Sequence, residues 1–435
     1  MTQYGFIGKH YLNESVLYYY FLHIILFFYI YSIQFIGVPF GIGTRVFLGV
    51  LGFLYFISEI VIKGKTFNFD RRFFSIFASL FLICFVSMVS LIYNGTKDVE
   101  FLLKYPVSII IIVFASYFVT KLTLFIKDED RFSILIDLCI NVVLFQSILS
   151  VLMFLNSPLR DFLNSIQINS ELELRLLEET IEFRLVGFGA KFFEAGYING
   201  FALMLIATMI KWNDLGRIKV LKYAIIFLVI FVLGMMMART TIIGFLLAII
   251  ILFWPNGKKN KLSSVNRSKF LLYILIISII VIIVVFYMFP ELKESFELAF
   301  NFGFEMFINY FDSGRFESIS TNKLEEMYVW PSSVKTYIIG DGLYTDVING
   351  TYYMKTDVGF LRLIYYFGII GMLSYFIFQF QMAYAAFLNN YKFRYTFVLM
   401  FVYCLVLSYK GFTDLFYLNI IFFINKKDNL YIVKN

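Results

Sequence analysis

Four arginines stand against apolar sequence, where a charge is costly to keep. Arg184 opens Arg184-Leu185-Val186-Gly187-Phe188-Gly189, Arg239 interrupts Met237-Ala238-Arg239-Thr240-Thr241, Arg315 lies in a long polar interval, and Arg362 follows one turn into the next apolar run. An ionisable group costs about 2.5–3.5 kcal/mol at the centre of a membrane span on insertion scales and less towards its edge, and a charge kept against apolar sequence is a functional candidate. A guanidinium offers five donors in a rigid planar fork, a geometry that suits a doubly charged phosphate better than any neutral ligand. The plainer reading of any one arginine is a snorkelling side chain or a structural ion pair. Arg362 has such a partner in Asp357, across about one helical turn. Arg239 sits in a turn so tight that few carboxylates are at hand.

Carboxylates are the other half of the chemistry. Glu194, Asp357, Asp341 and Glu317 all adjoin apolar sequence. One of them, half-buried beside the arginines, could accept a proton from a sugar hydroxyl; the ordinary alternative is a surface or ion-paired acid. Asp357 is the first choice for that base, because it closes the polar interval in Thr356-Asp357-Val358-Gly359-Phe360-Leu361-Arg362. Asp341, between Gly340 and Gly342, reads rather as part of a turn. Trp330 and Tyr344, with Tyr310, Tyr337, Tyr352 and Tyr353, either stack on sugar rings or form the small core of a folded cap. The two histidines, His10 and His23, both fall at the start of the chain, so a histidine base is not expected at this set. No His-Glu-x-x-His, phosphate-binding glycine loop or Gly-x-Ser-x-Gly occurs, and neither metal nor cofactor is expected.

These residues need elements to hold them. The sequence is 60% apolar, 21% aromatic and only 15% charged, against about 25% charged in a soluble domain. The expectation is an all-α polytopic membrane protein of about twelve transmembrane helices. The spans are Val16–Phe35, Val46–Ile62, Phe73–Tyr93, Tyr105–Phe125, Phe132–Leu155, Glu194–Ile210, Val220–Ala238, Thr240–Trp254, Phe270–Phe289, Val358–Phe378, Thr396–Tyr409 and Phe412–Ile424. A single helix over Val220–Trp254 would outrun a hydrocarbon core of about 30 Å. A turn at Arg239 instead keeps the basic clusters on either side of that stretch cytoplasmic, as the positive-inside rule prefers. The same reasoning divides Thr396–Ile424 at Lys410–Phe412. With both termini cytoplasmic, the inner side is net basic and the outer side net acidic, so the overall +7 charge serves orientation and contact with membrane lipid. Nucleic acid is not an expected partner.

The organisation follows: 1–289 holds spans one to nine and an outer loop at 156–193, 290–357 is a large outer loop, and 358–435 holds the last three spans and a cytoplasmic tail. In the first outer loop Ser170–Glu182 reads as an acidic amphipathic helix. The first span lacks a small-residue cleavage site after it and is not expected to be a cleaved signal. Cys84, Cys139 and Cys404 lie inside apolar runs and read as small core residues.

The order of these pieces resembles the O-antigen polymerase (Wzy) and O-antigen ligase family of bacterial polysaccharide assembly. The likeness runs from Arg184 through Ala238-Arg239-Thr240-Thr241, the long loop with Arg315 and Trp330, and Ile339-Gly340-Asp341-Gly342-Leu343, to Thr356–Arg362 and Tyr366-Phe367-Gly368-Ile369-Ile370-Gly371. It implies an architecture similar to the C-type glycosyltransferases (GT-C) in a bacterial inner membrane, with the site facing the periplasm. It implies metal-independent transfer of a growing glycan from undecaprenyl diphosphate onto a lipid-linked repeat unit, in lipopolysaccharide biosynthesis. By that carry-over Arg184, Arg239 and Arg315 hold the departing diphosphate; on the reading of the residues themselves Asp357 stands as base, and Glu194, Arg362, Trp330 and Tyr344 contact substrate. A chain-length regulator protein is a possible partner. Ligases of this family place a histidine in the long loop, and this loop has none. Two alternatives stay open: a lipid-linked oligosaccharide flippase or other transporter, and a ligase. Charges gathered at one face favour transfer, whereas ionisable groups at mid-membrane favour transport.

Overall fold

The computed structural model describes residues 4–38, 42–62, 64, 71–123, 131–168, 177, 179–180, 182–190, 192–213, 215–254, 267–274, 276, 290–346, 351–389 and 393–424, with 4–16 and 290–296 as backbone alone. Of the described residues 79% are helical. The helices are α1 Tyr4–Ile30, α2 Thr44–Val61, α3 Arg71–Asn94, α4 Tyr105–Thr123, α5 Arg131–Leu155, α6 Ser157–Ser165, α7 Phe192–Trp212, α8 Arg217–Met237 and α9 Thr241–Phe253. After these come α10 Pro290–Ser313, α11 Ile319–Glu326, α12 Val334–Ile338, α13 Gly359–Asn389, α14 Arg394–Leu407 and α15 Phe416–Ile424, with a two-stranded hairpin of β1 Thr345–Asp346 and β2 Thr351–Tyr352. Among the described residues seven helices are long and apolar enough to cross a membrane: α2, α3, α4 with the π-helical turn Glu100–Lys104 ahead of it, α5, α7, α8 and α13. This is an all-α, polytopic membrane architecture.

Helix α7 is the hub, since 89% of its apolar window is buried inside the protein. Helices α8 and α9 pack on it, and small residues let them approach. A Cβ on Gly244 of α9 would sit 2.1 Å from the Gly200 Cα of α7, so only glycine fits where backbones touch. Elsewhere α2 packs on α4, α3 on α13, and α14 and α15 on α13.

Several expected boundaries move. The first helix starts at Tyr4 and stops at Ile30 rather than Phe35. The expected tenth span continues to Asn389 and is interrupted at Phe367 (φ −141°, ψ 20°) and Gly368 (φ 74°, ψ −177°). The freed carbonyls there are not left bare. Asp341 N donates to Tyr365 O at 2.6 Å, and Gly342 N and Ser90 Oγ donate to Tyr366 O at 3.0 and 2.7 Å. The expected last span shortens to nine residues in α15, roughly 14 Å at 1.5 Å per residue, because Asp414 Oδ1 accepts from Phe416 N at 2.9 Å and caps the helix there. Most of the expected span Phe270–Phe289, of the acidic helix Ser170–Glu182 and of the C-terminal tail lies outside the described residues.

The interval 290–357 is folded where described. Asp98, between α3 and α4, accepts from Tyr344 N at 2.8 Å and Thr345 N at 3.3 Å. Leu324, Met327, Tyr328 and Tyr337 pack on Val358, Leu361, Ile364 and Tyr365 at the start of α13. Its apolar side chains are therefore in part the core of the cap.

Candidate functional site: a cationic cluster at the α8–α9 turn

Helix α8 ends at Met237 because Ala238 turns extended (φ −160°, ψ 123°). The chain reverses over Arg239 and Thr240, and Thr241 starts α9 with its hydroxyl donating back to Gly234 O at 2.9 Å. Arg239 is thereby presented at the tip of a fixed turn, only 9% exposed. Its Nε donates to Phe302 O at 2.7 Å, its Nη1 donates to Ser320 Oγ at 3.0 Å, and its Nη2 pairs with the Glu305 carboxylate. Glu305 also accepts from Ile319 N at 3.1 Å, in the first turn of α11. One arginine thus joins α8, α10 and α11.

Arg184 reaches the same place from another loop. Its Nε donates to Met237 O at 2.6 Å, and the neighbouring Leu185 N donates to Met236 O at 3.2 Å. The guanidinium lies 4.6 Å from the ring centroid of Phe192 and 5.3 Å from that of Phe302. Ring faces carry negative potential and receive a cation. Among the described residues Arg184 meets no carboxylate.

Lys410 is the third cation. It stands in the turn after α14, where Phe360 N donates to Ser408 O at 3.2 Å. A Cβ on Gly359 would come 2.3 Å from Gly411 O, so glycine lets the start of α13 lie directly on that turn. This contact sets Lys410 beside Asp357. Burial, then Arg184 and Arg239, hold the Lys410 ammonium down at about 8, and Asp357 opposes them. Burial and the nearby Arg239 bring Arg184 down to about 9. Burial also lowers Arg239, against the pull of Glu305. Asp357 goes the other way: burial raises it to about 6, while Arg362 and Lys410 oppose the rise. Arg239 thus weighs on Arg184, and both weigh on Lys410, a repulsion that a bound anion would relieve.

The structure brings Arg184 and Arg239 together at the Phe302 ring, sets Asp357 near Arg362 and Lys410, and keeps other expected residues apart. Arg315 is 75% exposed and its partner is its neighbour Glu317 at 3.9 Å; it faces solvent rather than the cluster. Arg362 sits behind Asp357, with Nη1 3.8 Å from the carboxylate. Its guanidinium is held 3.9 Å from the Tyr344 ring and 3.7 Å from the Tyr352 ring. Tyr344 is consequently buried against Arg362 and is not open to a ligand. Glu194, in the first turn of α7, accepts from Tyr417 Oη at 3.4 Å. Trp330 is exposed and leans on Phe360. Asp341 is occupied as an anchor, accepting from Lys335 Nζ and Thr336 Oγ1, each at 2.8 Å. Glu317 is taken up by Arg315.

Sequence reasoning missed Lys410, Glu305, Ser320 and Phe302 as members of the site. Lys410 carried a readable signal, a charge between two short apolar runs, the same signal that marks Arg239. Among the described residues no group of three His, Cys, Asp or Glu side chains is placed to hold a metal ion.

Compared with protein-family models, with curated proteins and with solved structures, the chain matches none of them.

Proposed function

We propose that this protein is a polysaccharide polymerase of the O-antigen type, a glycosyltransferase that moves a growing glycan from undecaprenyl diphosphate onto a lipid-linked repeat unit at the periplasmic face of a bacterial inner membrane. The observation that supports the reading is the pair Arg184 and Arg239 at one ring, with Lys410 within electrostatic reach of both and of Asp357, and with Arg184 and Lys410 free of hydrogen-bonded carboxylates among the described residues. A diphosphate leaving group gains negative charge as the glycosidic bond breaks, and preorganised cations aimed at that charge lower the barrier. Arg184 has its terminal nitrogens left for the diphosphate oxygens, Arg239 adds the field of a guanidinium fixed by Phe302 O, Ser320 Oγ and Glu305, and Lys410 adds a point charge. Asp357 takes the proton from the acceptor hydroxyl as its oxygen bonds to the anomeric carbon. Lys410 and Arg362 keep the carboxylate ionised at neutral pH against the effect of burial. The cluster stands at helix ends, as a site for a lipid-borne diphosphate must.

The reading is tested with purified protein in vesicles supplied with lipid-linked repeat units from cells lacking the gene. A ladder of glycans on undecaprenyl diphosphate is expected. Movement of intact units across the bilayer without elongation would replace the reading with a flippase, and transfer of glycan to lipid A core alone would replace it with a ligase.

A further inference from the structure

Beside Lys410 and Asp357 lies a group of rings that internal packing does not use up. Trp330 is 55% exposed and Tyr409 is 60% exposed. Both lean on Phe360, with ring centroids 5.7 and 5.3 Å away and planes inclined by 48° and 63°. Tyr328 supports the group from behind: its ring is 6.2 Å from Phe360, and its hydroxyl donates to Tyr409 O at 2.8 Å. Phe360 follows Asp357 by three residues and Tyr409 directly precedes Lys410. The platform and the reacting groups therefore share the same two backbone segments, joined by the bond from Phe360 N to Ser408 O.

We infer that Trp330, Phe360 and Tyr409 form the subsite for one pyranose ring of the acceptor glycan and hold its hydroxyl against Asp357. This rests on the proposed function and adds the place where the acceptor binds. A pyranose is amphipathic, with C–H groups on its faces and hydroxyls round its edge. An aromatic face, negative at its centre, receives the C–H face, and a few polar groups at the rim fix the hydroxyls. Asp357 and Lys410 supply that rim on one side. Glu325, Glu326, Ser332 and Ser333, all exposed, stand before and after Trp330 in the chain. Rings set among exposed charges suit a sugar better than hydrocarbon. The competing occupant is the lipid headgroup region, where tryptophan and tyrosine also collect.

The chain has three tryptophans, so a Trp212→Phe, Trp254→Phe double variant reports on Trp330 alone. It is placed in vesicles of phosphatidylethanolamine and phosphatidylglycerol. The probe is the single repeat unit released by mild acid from the lipid-linked pool of gene-deleted cells. A saturable change in Trp330 emission is expected. In the elongation assay, Trp330→Leu is expected to raise the acceptor KM about tenfold with kcat within twofold of wild type, and Trp330→Tyr to restore most of that loss. Unchanged emission with glycan, together with quenching by spin-labelled lipid, would make the ring a bilayer anchor and overturn the subsite. An unchanged KM in Trp330→Leu would do the same while leaving the transfer reading intact. If gene-deleted cells accumulate no lipid-linked units, the transfer reading fails first and the subsite falls with it.

Discussion

Arg184 and Arg239 share one aromatic ring. Their guanidiniums lie 5.3 and 4.5 Å from the centroid of Phe302, and Arg184 also donates to Met237 O, two residues before Arg239. Two like charges are held close by carbonyls and ring faces, and Glu305 pairs with Arg239 alone. Such an arrangement stores unfavourable electrostatic energy that an anionic ligand releases on binding.

Removing either guanidinium is expected to abolish polymer formation. Arg184→Ala should lower kcat by about 10²- to 10³-fold, the loss seen when one donor to a developing negative charge is deleted, and Arg239→Ala should lower it as well by removing a positive charge and the joint between α8, α10 and α11. Cells should then carry single repeat units on lipid A core. Arg239→Lys should rescue poorly, since an ammonium cannot reproduce the fork that joins Phe302 O and Ser320 Oγ. Wild-type ladders on a gel from both alanine variants would rule out the diphosphate role.

Arg315→Ala is expected to leave the ladder unchanged, with stability within about 0.5 kcal/mol of wild type. Its exposed side chain meets only Glu317 across 3.9 Å among the described residues. Loss of polymer in this variant would show that Arg315 engages substrate.

The pH profile should be bell-shaped. Asp357 must be ionised to accept a proton and is raised to about 6, so the rate falls as pH drops through that value. Lys410 must be charged and is lowered to about 8, so the rate falls again as pH rises past it. Lys410→Arg should remove the alkaline limb, since a guanidinium keeps its proton throughout the working range. Asp357→Asn should remove activity at every pH. An alkaline limb at the same place in Lys410→Arg would remove Lys410 from the mechanism.

Gly244→Val should destabilise the protein by roughly 1–3 kcal/mol or more, the range for overpacking, because its Cβ would fall 2.1 Å from Gly200 Cα. Thermal unfolding in detergent reads the loss. The variant should also lose activity, since the α7–α9 contact supports the turn that aims Arg239.

The apolar runs, the all-helical architecture and the break at Ala238–Thr240 were legible in the sequence because each is a local requirement. A long run of Phe, Ile, Leu and Val must leave water, and a charge amid such a run must find a helix end or a buried partner. Arg184, Arg239 and Asp357 stood out for that reason. Nothing local distinguished Arg315, which faces solvent, from Arg184, which reaches back to Met237 O. Both are arginines in polar loops. Tyr344 reads in sequence as a ring for sugar or for core, and only the fold sets Arg362 against it. Lys410 joins the cluster from more than 150 residues beyond Arg239, through the glycine contact between Gly359 and Gly411. Sequence alone set which segments leave water and where charges interrupt them. Which charges meet was decided by the packing of α7, α8, α13 and α14, because the spacing between two loops depends on every helix that separates them.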